Sequence, residues 1–190
     1  GGANSEAGWN RAGYFYPGYS AADGASQRFG RCRILRWATT DAWYTDGALN
    51  GGYDVGVALC DRIEDARWTY VNNWLPGERL GYLGFCYENC RAPYAQLTQL
   101  GYPANYYRGG EMTVGQHLAI TGQPIPNATS LSGNDFVFGS GMQGGSSGGP
   151  QIANLGTLSD SSIIAGQDPE RNVILGVTSW GFVSPIYKIQ

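Results

Sequence analysis

A run of glycines around two serines, Gly144 to Pro150 (GGSSGGP), is the feature that most constrains this chain. Glycine inside a helix or a strand costs roughly 0.5–1 kcal/mol relative to alanine, so the run is a poor helix and a poor strand. Clustered glycines allow a tight turn and bring backbone N–H groups close to a bound group. A flexible glycine–serine linker is the alternative interpretation. Because strand-like stretches flank the run at 136–138 and 173–181, we expect it to lie inside a β-rich domain.

The composition favours an all-β fold. Thirty of the 190 residues are glycine, 13% are aromatic and only 14% are charged, which suits short strands and turns. The net charge of −3 gives no basic patch for nucleic acid. No apolar run approaches the roughly 20 residues of a membrane-spanning helix. Since no signal peptide is present, we expect a mature or trimmed chain.

Apolar and β-branched stretches predict a series of strands separated by turns. We expect irregular loops over residues 1–30 and turns over 39–52 and at Pro76-Gly77. The predicted strands cover residues 31–37, 53–60, 79–85, 96–102, 111–120, 135–139, 150–154, 172–180 and 183–189.

The four cysteines favour disulfides over a metal site. Cys86 and Cys90 have neither a second close pair of cysteines nor flanking histidines, so we expect no zinc site there. We expect the two to close a small disulfide loop. Cys32 and Cys60 then form the second pair, because both lie on predicted strands; three connectivities remain open from sequence. Asn127 begins a glycosylation sequon. Together these features favour a secreted protein.

Several short motifs together resemble one family. The run at 144–150 resembles the nucleophile motif of chymotrypsin-fold serine peptidases, and VTSWG at 177–181 resembles their substrate-binding strand. Within that fold, the secreted glutamyl-endopeptidase-like and bacterial trypsin-like group is the most similar. Its characteristic elements occur here in the same order and cover most of the chain: Trp9-Asn10, residues 15–19 (FYPGY), residues 53–56 (YDVG), residues 101–103 (GYP) and then Ser147.

The resemblance implies two antiparallel six-stranded β-barrels with the site in the cleft between them. Residues 1–90 would form a partial N-terminal barrel that lacks its first strands. Residues 91–190 would form the C-terminal barrel, which carries the nucleophile and the specificity pocket.

A serine nucleophile needs a base to remove its proton, and the base needs a carboxylate to orient it. The resemblance assigns these roles to Ser147 as nucleophile and Asp54 as carboxylate, with Ser179 donating a hydrogen bond to Asp54. A solvated residue at the end of a strand, or a turn cap, is the ordinary alternative for Asp54. The backbone N–H groups of Gly145 and Ser147 would form the oxyanion hole, where losing one donor typically costs about 2.7–4 kcal/mol.

The base is missing from the expected place. The chain has one histidine, His117, which follows Asp54, whereas in the family the catalytic histidine precedes the aspartate. We therefore expect His117 to be structural. We expect the catalytic histidine to come from a separate, shorter N-terminal polypeptide, produced by cleavage in a loop and held by pairing of strands. The alternative is a catalytically inactive peptidase-like binding protein, or a fragment.

The resemblance places the substrate-binding residues on both sides of the nucleophile: Gly141, Met142, Thr178, Ser179, Trp180 and Gly181. No acid lies at the base of this pocket and no histidine occupies position 178, so a neutral pocket for apolar or aromatic side chains is expected. Ser146 stands where digestive enzymes have aspartate, so their salt-bridge activation is not expected. The substrate would be a peptide or protein, and no cofactor, metal, nucleic acid or membrane partner is implied.

Overall fold

The structure is a computed structural model that describes residues 10, 12–22, 29–47, 52–86, 96–118, 120–121, 136–137, 139–156 and 172–179. Strands provide most of the regular structure in these ranges, in agreement with the composition. None of the helices in this part of the chain is long and apolar enough to cross a membrane.

The first sheet is antiparallel and has the order β1-β2-β3. Its strands are β1 (Tyr14–Phe15), β2 (Arg31–Thr39) and β3 (Gly56–Glu64). A disulfide joins Cys32 on β2 to Cys60 on β3 with their Cα atoms 5.6 Å apart, which confirms this predicted pair. Cys32 is fully buried, so the bridge forms part of the core of this sheet.

The second sheet has five strands: β4 (Gly84–Phe85), β5 (Gln96–Gly101), β6 (Thr113–Leu118), β9 (Pro150–Ala153) and β10 (Val173–Val177). Their order is β4-β10-β9-β5-β6, and all pairs are antiparallel except β4 with β10, which run parallel. Leu97 on β5 and Ile152 on β9 are fully buried and lie at the centre of this sheet. A separate antiparallel pair consists of β7 (Ile120–Thr121) and β8 (Phe136–Val137).

Two short helices occupy places where the sequence predicted turns or a strand. Helix α1 (Asp41–Asp46) lies in the predicted 39–52 turn, and it begins where the Thr40 hydroxyl accepts a hydrogen bond from the backbone N–H of Trp43. Helix α2 (Pro76–Leu80) contains the first residues of the predicted 79–85 strand. Proline suits the first turn of a helix, where its missing N–H has no intrahelical partner. The strand prediction is therefore wrong before Gly84.

The all-β class is confirmed, but the described strands form open sheets and close no barrel. Strand β4, from the first half of the chain, pairs with β10 from the second. The division at residue 90 and the two six-stranded barrels remain predictions. Cys86 is also disulfide-bonded, but its expected partner Cys90 lies outside the described residues. The same holds for the sequon at Asn127 and for the predicted strand at 183–189.

Candidate active site

The glycine–serine run is anchored to the end of strand β10. The N–H of Gly148 donates to the carbonyl of Thr178 over 2.7 Å, and the N–H of Thr178 donates back to the carbonyl of Gly149 over 2.8 Å. This reciprocal pair extends the ladder between β9 and β10, whose last register pair is Pro150 with Val177. The run is therefore held as a continuation of the β9–β10 ladder.

The run also packs directly against β5 and the residues that follow it. At Gly149 a Cβ would lie 2.1 Å from the carbonyl oxygen of Leu100. Gly145 has φ of 99°, a conformation that favours glycine, and a Cβ there would lie 2.6 Å from the Tyr102 carbonyl oxygen. Only glycine leaves room for this contact between two backbones. Such close packing excludes a flexible linker.

The two neighbouring serines face opposite ways. Ser146 is buried, and both its N–H and its hydroxyl donate to the carbonyl of Gln143, over 3.2 and 2.8 Å. Its own carbonyl accepts from the N–H of Gly149 over 3.0 Å. Ser147 is exposed. This tight turn therefore places one hydroxyl inside the protein and the next one in solvent.

Three backbone donors in the turn have no hydrogen-bond acceptor within the described part of the chain. They are the N–H groups of Gly144, Gly145 and Ser147. The N–H groups of Ser146, Gly148 and Gly149 each donate to a carbonyl. Two of the three, those of Gly145 and Ser147, are the donors predicted for the oxyanion hole, and unused donors of this kind suit the binding of an oxygen that carries negative charge.

Ser179 connects the exposed serine to Asp54. The hydroxyl of Ser179 donates to Oδ2 of Asp54 over 2.5 Å, across 125 positions of sequence. The Ser147 hydroxyl points to the carbonyl oxygen of Ser179 at 3.4 Å, longer than the usual 2.5–3.0 Å of an O–H···O bond. The fold therefore brings Asp54 to the hydroxyl and Ser147 to the carbonyl of one residue.

Two threonines fix the backbone on either side of Asp54. The hydroxyl of Thr40 donates to the carbonyl of Tyr53 over 2.8 Å, and that of Thr39 donates to the carbonyl of Val55 over 2.7 Å. Neither threonine stands out in the sequence. Their position at the end of β2, opposite the start of β3, is visible only once the strands are paired.

His117 lies on β6, opposite Leu97 on β5, and forms no hydrogen bond with Ser147 or Asp54. Its imidazole lies over Gly115, where a Cβ would be 2.7 Å from Nε2 of His117 and 3.5 Å from the terminal methyl group of Met142. Partial burial lowers the pKa of His117 below its usual 6.5. The side chain is thus a half-buried, mostly neutral group at physiological pH.

A buried polar network supports the predicted pocket residues Met142 and Thr178. Gln99 and Gln151, each 1% exposed, both donate through Nε2 to the Thr178 hydroxyl, over 3.1 and 2.7 Å. Oε1 of Gln99 accepts from the hydroxyl of Ser140 over 2.6 Å, and that hydroxyl oxygen accepts from the N–H of Met142 over 3.1 Å. The network connects the segment before the nucleophile to the end of β10.

Asn105 holds the same segment from the other side. Its Nδ2 donates to the carbonyl of Gly141 over 2.9 Å, and its Oδ1 accepts from the N–H of Gln143 over 3.0 Å. Trp180 and Gly181 lie outside the described residues, so only part of the predicted pocket is described. Among the residues that the structure describes, no group of three histidine, cysteine, aspartate or glutamate side chains is placed to hold a metal ion.

Comparison with known proteins shows which solved structure this fold resembles. No protein-family profile and no curated protein sequence matches the chain. Among solved structures, the protease Anisep from Arthrobacter nicotinovorans is similar, with 22% sequence identity and a TM-score of 0.56. The match covers 92% of this chain but 65% of that protein, slightly less than two thirds of its length. The chain therefore has a fold similar to that of a protease.

Proposed function

We propose that this chain is the nucleophile-bearing part of a secreted serine endopeptidase of the chymotrypsin-like fold. The observation that carries the proposal is the turn at 144–150, which exposes the Ser147 hydroxyl beside the N–H groups of Gly145 and Ser147, neither of which has an acceptor among the described residues. The hydrogen bond from Ser179 to Asp54 brings a carboxylate to the same place. These are the serine, the oxyanion donors and the carboxylate of acyl transfer.

The proposed reaction passes through an acyl-enzyme. An imidazole takes the proton of the Ser147 hydroxyl while its oxygen attacks the carbonyl carbon of the peptide bond. The oxygen of that carbonyl becomes negatively charged and accepts from the N–H groups of Gly145 and Ser147. The imidazolium, oriented by Asp54, then gives its proton to the leaving amine. Water attacks the remaining ester by the same route and frees Ser147.

The imidazole is the part that the described residues do not supply. His117 makes no hydrogen bond to Ser147 or Asp54. About a third of the similar protease has no counterpart in its match to this chain. The proposed base is therefore a histidine of a shorter N-terminal polypeptide associated with this chain.

The substrate is proposed to be a peptide or protein with a neutral side chain before the cleaved bond. The described pocket residues, Gly141, Met142, Thr178 and Ser179, carry no charge. An apolar or aromatic side chain suits such a pocket. Secretion fits the disulfide between Cys32 and Cys60, because disulfides persist mainly in oxidising compartments.

Cleavage of denatured casein by the native preparation tests the proposed activity. Products are identified by mass spectrometry, and the same assay is run on the Ser147→Ala and Ser146→Ala variants prepared with any associated polypeptide. Loss of cleavage is expected in Ser147→Ala, whereas Ser146→Ala loses only the hydroxyl bond to Gln143 and is expected to retain cleavage. Equal cleavage by Ser147→Ala and the unchanged protein would refute the proposal. No cleavage by any form would favour an inactive, peptidase-like binding protein.

A further inference from the structure

Asp54 is the central residue of a three-residue turn. The N–H of Val55 donates to the carbonyl of Tyr53 over 2.8 Å, which closes a γ-turn around Asp54. Because φ of Asp54 is not positive, the turn is of the inverse type, which is common at the ends of strands. The carboxylate that Ser179 contacts therefore belongs to a turn that lies directly before strand β3.

Packing contributes little to the position of this turn. Tyr53 is 44% exposed and Val55 is 39% exposed. The pairing of β2 with β3 ends at Thr39 and Gly56, one residue after Val55. A segment with few buried apolar contacts is held mainly by its hydrogen bonds. The position of the carboxylate in this turn therefore depends on the groups that bond its backbone.

Two neighbouring threonine hydroxyls bond the backbone of the turn from the end of β2. The hydroxyl of Thr39 donates to the carbonyl of Val55 over 2.7 Å. The hydroxyl of Thr40 donates to the carbonyl of Tyr53 over 2.8 Å. The Thr40 oxygen also accepts from the N–H of Trp43 over 3.2 Å, so helix α1 holds this hydroxyl in place. The carbonyls on both sides of the carboxylate are thus anchored by side chains, beyond the last pair of the ladder.

We propose that Thr39 and Thr40 are positioning residues, which hold the Asp54 carboxylate where it orients the base. The inference rests on the proposed function. The bond from Ser179 holds one carboxylate oxygen, and the two threonines hold the backbone from which the carboxylate extends. A misplacement of about 1 Å in an active site can cost about a hundredfold in rate, so this support matters for catalysis. The ordinary alternative is that the two threonines only complete the sheet and cap helix α1.

Steady-state kinetics of valine and serine variants test the proposal. Each variant is prepared with any associated polypeptide and assayed on a fluorogenic peptide built on a cleavage site found in casein. Valine keeps the branched shape of threonine and lacks the hydroxyl. In Thr39→Val and in Thr40→Val, kcat is expected to fall by at least about threefold, and in the double variant by at least about tenfold, with KM changed by less than about twofold. Thr39→Ser and Thr40→Ser keep the hydroxyl and are expected to retain kcat within about twofold.

Two comparisons separate positioning from folding. The hydroxyl of Thr39 takes no part in the cap of helix α1, so Thr39→Val tests the anchor without disturbing the helix. Thr113 is a matched control, because its hydroxyl oxygen is buried at the start of β6 and has no hydrogen-bond partner among the described residues. Thr113→Val is expected to leave kcat unchanged. Urea unfolding establishes that each variant is folded under the assay conditions.

A crystal structure of the double valine variant separates the positioning from the proposed catalysis. The distance from Oγ of Ser179 to the nearer carboxylate oxygen of Asp54 is expected to exceed about 3.5 Å, beyond the range of a hydrogen bond. No cleavage by any form would refute the proposed function, and this distance would then decide the positioning alone. The positioning is overturned if the hydrogen bond is kept in the double variant, if the valine variants retain full kcat, or if the serine variants or Thr113→Val lose as much kcat as the valine variants.

Discussion

Two alanine substitutions at neighbouring glycines, Gly148 and Gly149, separate the two reasons why glycine occupies the nucleophile turn. At Gly148 φ is 79°, and a Cβ would meet no atom within 4 Å. At Gly149 a Cβ would lie 2.1 Å from the carbonyl oxygen of Leu100 and 2.9 Å from that of Ser146. Gly148→Ala therefore adds backbone strain without a clash, and Gly149→Ala adds a clash with two backbone oxygens.

The strain and the clash set the expected losses in the free energy of unfolding. An L-residue in the left-handed region costs about 1–2 kcal/mol. Alanine also stabilises the protein by about 0.4–1 kcal/mol because it restricts the unfolded chain, so Gly148→Ala is expected to lose about 0–1.5 kcal/mol. Overpacking against atoms that cannot rotate away costs about 1–3 kcal/mol. Moving Gly149 also weakens its hydrogen bonds with Ser146 and Thr178, each worth about 1 kcal/mol. After the same gain of about 0.4–1 kcal/mol from the restricted unfolded chain, the expected loss for Gly149→Ala is about 2–4.5 kcal/mol.

Urea unfolding followed by tryptophan fluorescence measures both losses. Gly149→Ala is expected to unfold at a much lower urea concentration than Gly148→Ala, with a similar slope. The rate at which a fluorophosphonate labels Ser147 is expected to fall in the same order, because the clash lies two residues from the hydroxyl. A loss below about 1 kcal/mol for Gly149→Ala, or a larger loss for Gly148→Ala, would refute this account of the packing.

Three further predictions concern the surroundings of the turn. Ser179→Ala removes the hydroxyl that donates to Asp54. Because hydrogen bonds to charged groups are worth about 1.5–3 kcal/mol, kcat is expected to fall by about tenfold or more with little change in KM. An unchanged kcat would contradict this role of Ser179. His117 is the single histidine, so its Cε1–H proton resonance reports one titration, expected to have a midpoint below 6.5. Because the unfolded chain then binds more protons than the folded one, the free energy of unfolding should fall as the pH drops below 6.5. His117→Gln should remove this contribution of His117 to the pH dependence. A midpoint of 6.5 or above would contradict the lowered pKa of His117. Replacing Cys32 and Cys60 by serine opens a loop with a sequence separation of 28 and is expected to cost about 3–4 kcal/mol in urea unfolding; a loss below about 1 kcal/mol would show that the bridge contributes little.

The sequence predicted the fold class because glycine-rich turns and short apolar stretches are local features. It also predicted the disulfide between Cys32 and Cys60, since both lie on strands that pair. The helix at Pro76–Leu80 was missed because proline followed by glycine usually marks a turn. Here proline fits the first turn of the helix, and Glu78 accepts a hydrogen bond from the N–H of Leu75.

The residues of the candidate site that belong to short sequence motifs were predictable. Those brought to the site by the pairing of distant strands were not. The turn at 144–150 and Asp54 stand out in the sequence. The supporting Gln99 does not, because a glutamine in a strand normally faces solvent, whereas here it is buried and bonded to Ser140 and Thr178. The described strands form open sheets, so the two barrels implied by the resemblance remain a prediction.

Mass spectrometry of the native preparation after treatment with a fluorophosphonate tests the central claim most directly. Intact masses identify every polypeptide present, and peptide masses locate the adduct. We expect an adduct on Ser147 together with a smaller companion polypeptide that contains histidine. An adduct without a companion would contradict the proposed source of the base and bring His117 back into consideration. No adduct, with this chain alone in solution, would contradict the assignment of a serine peptidase.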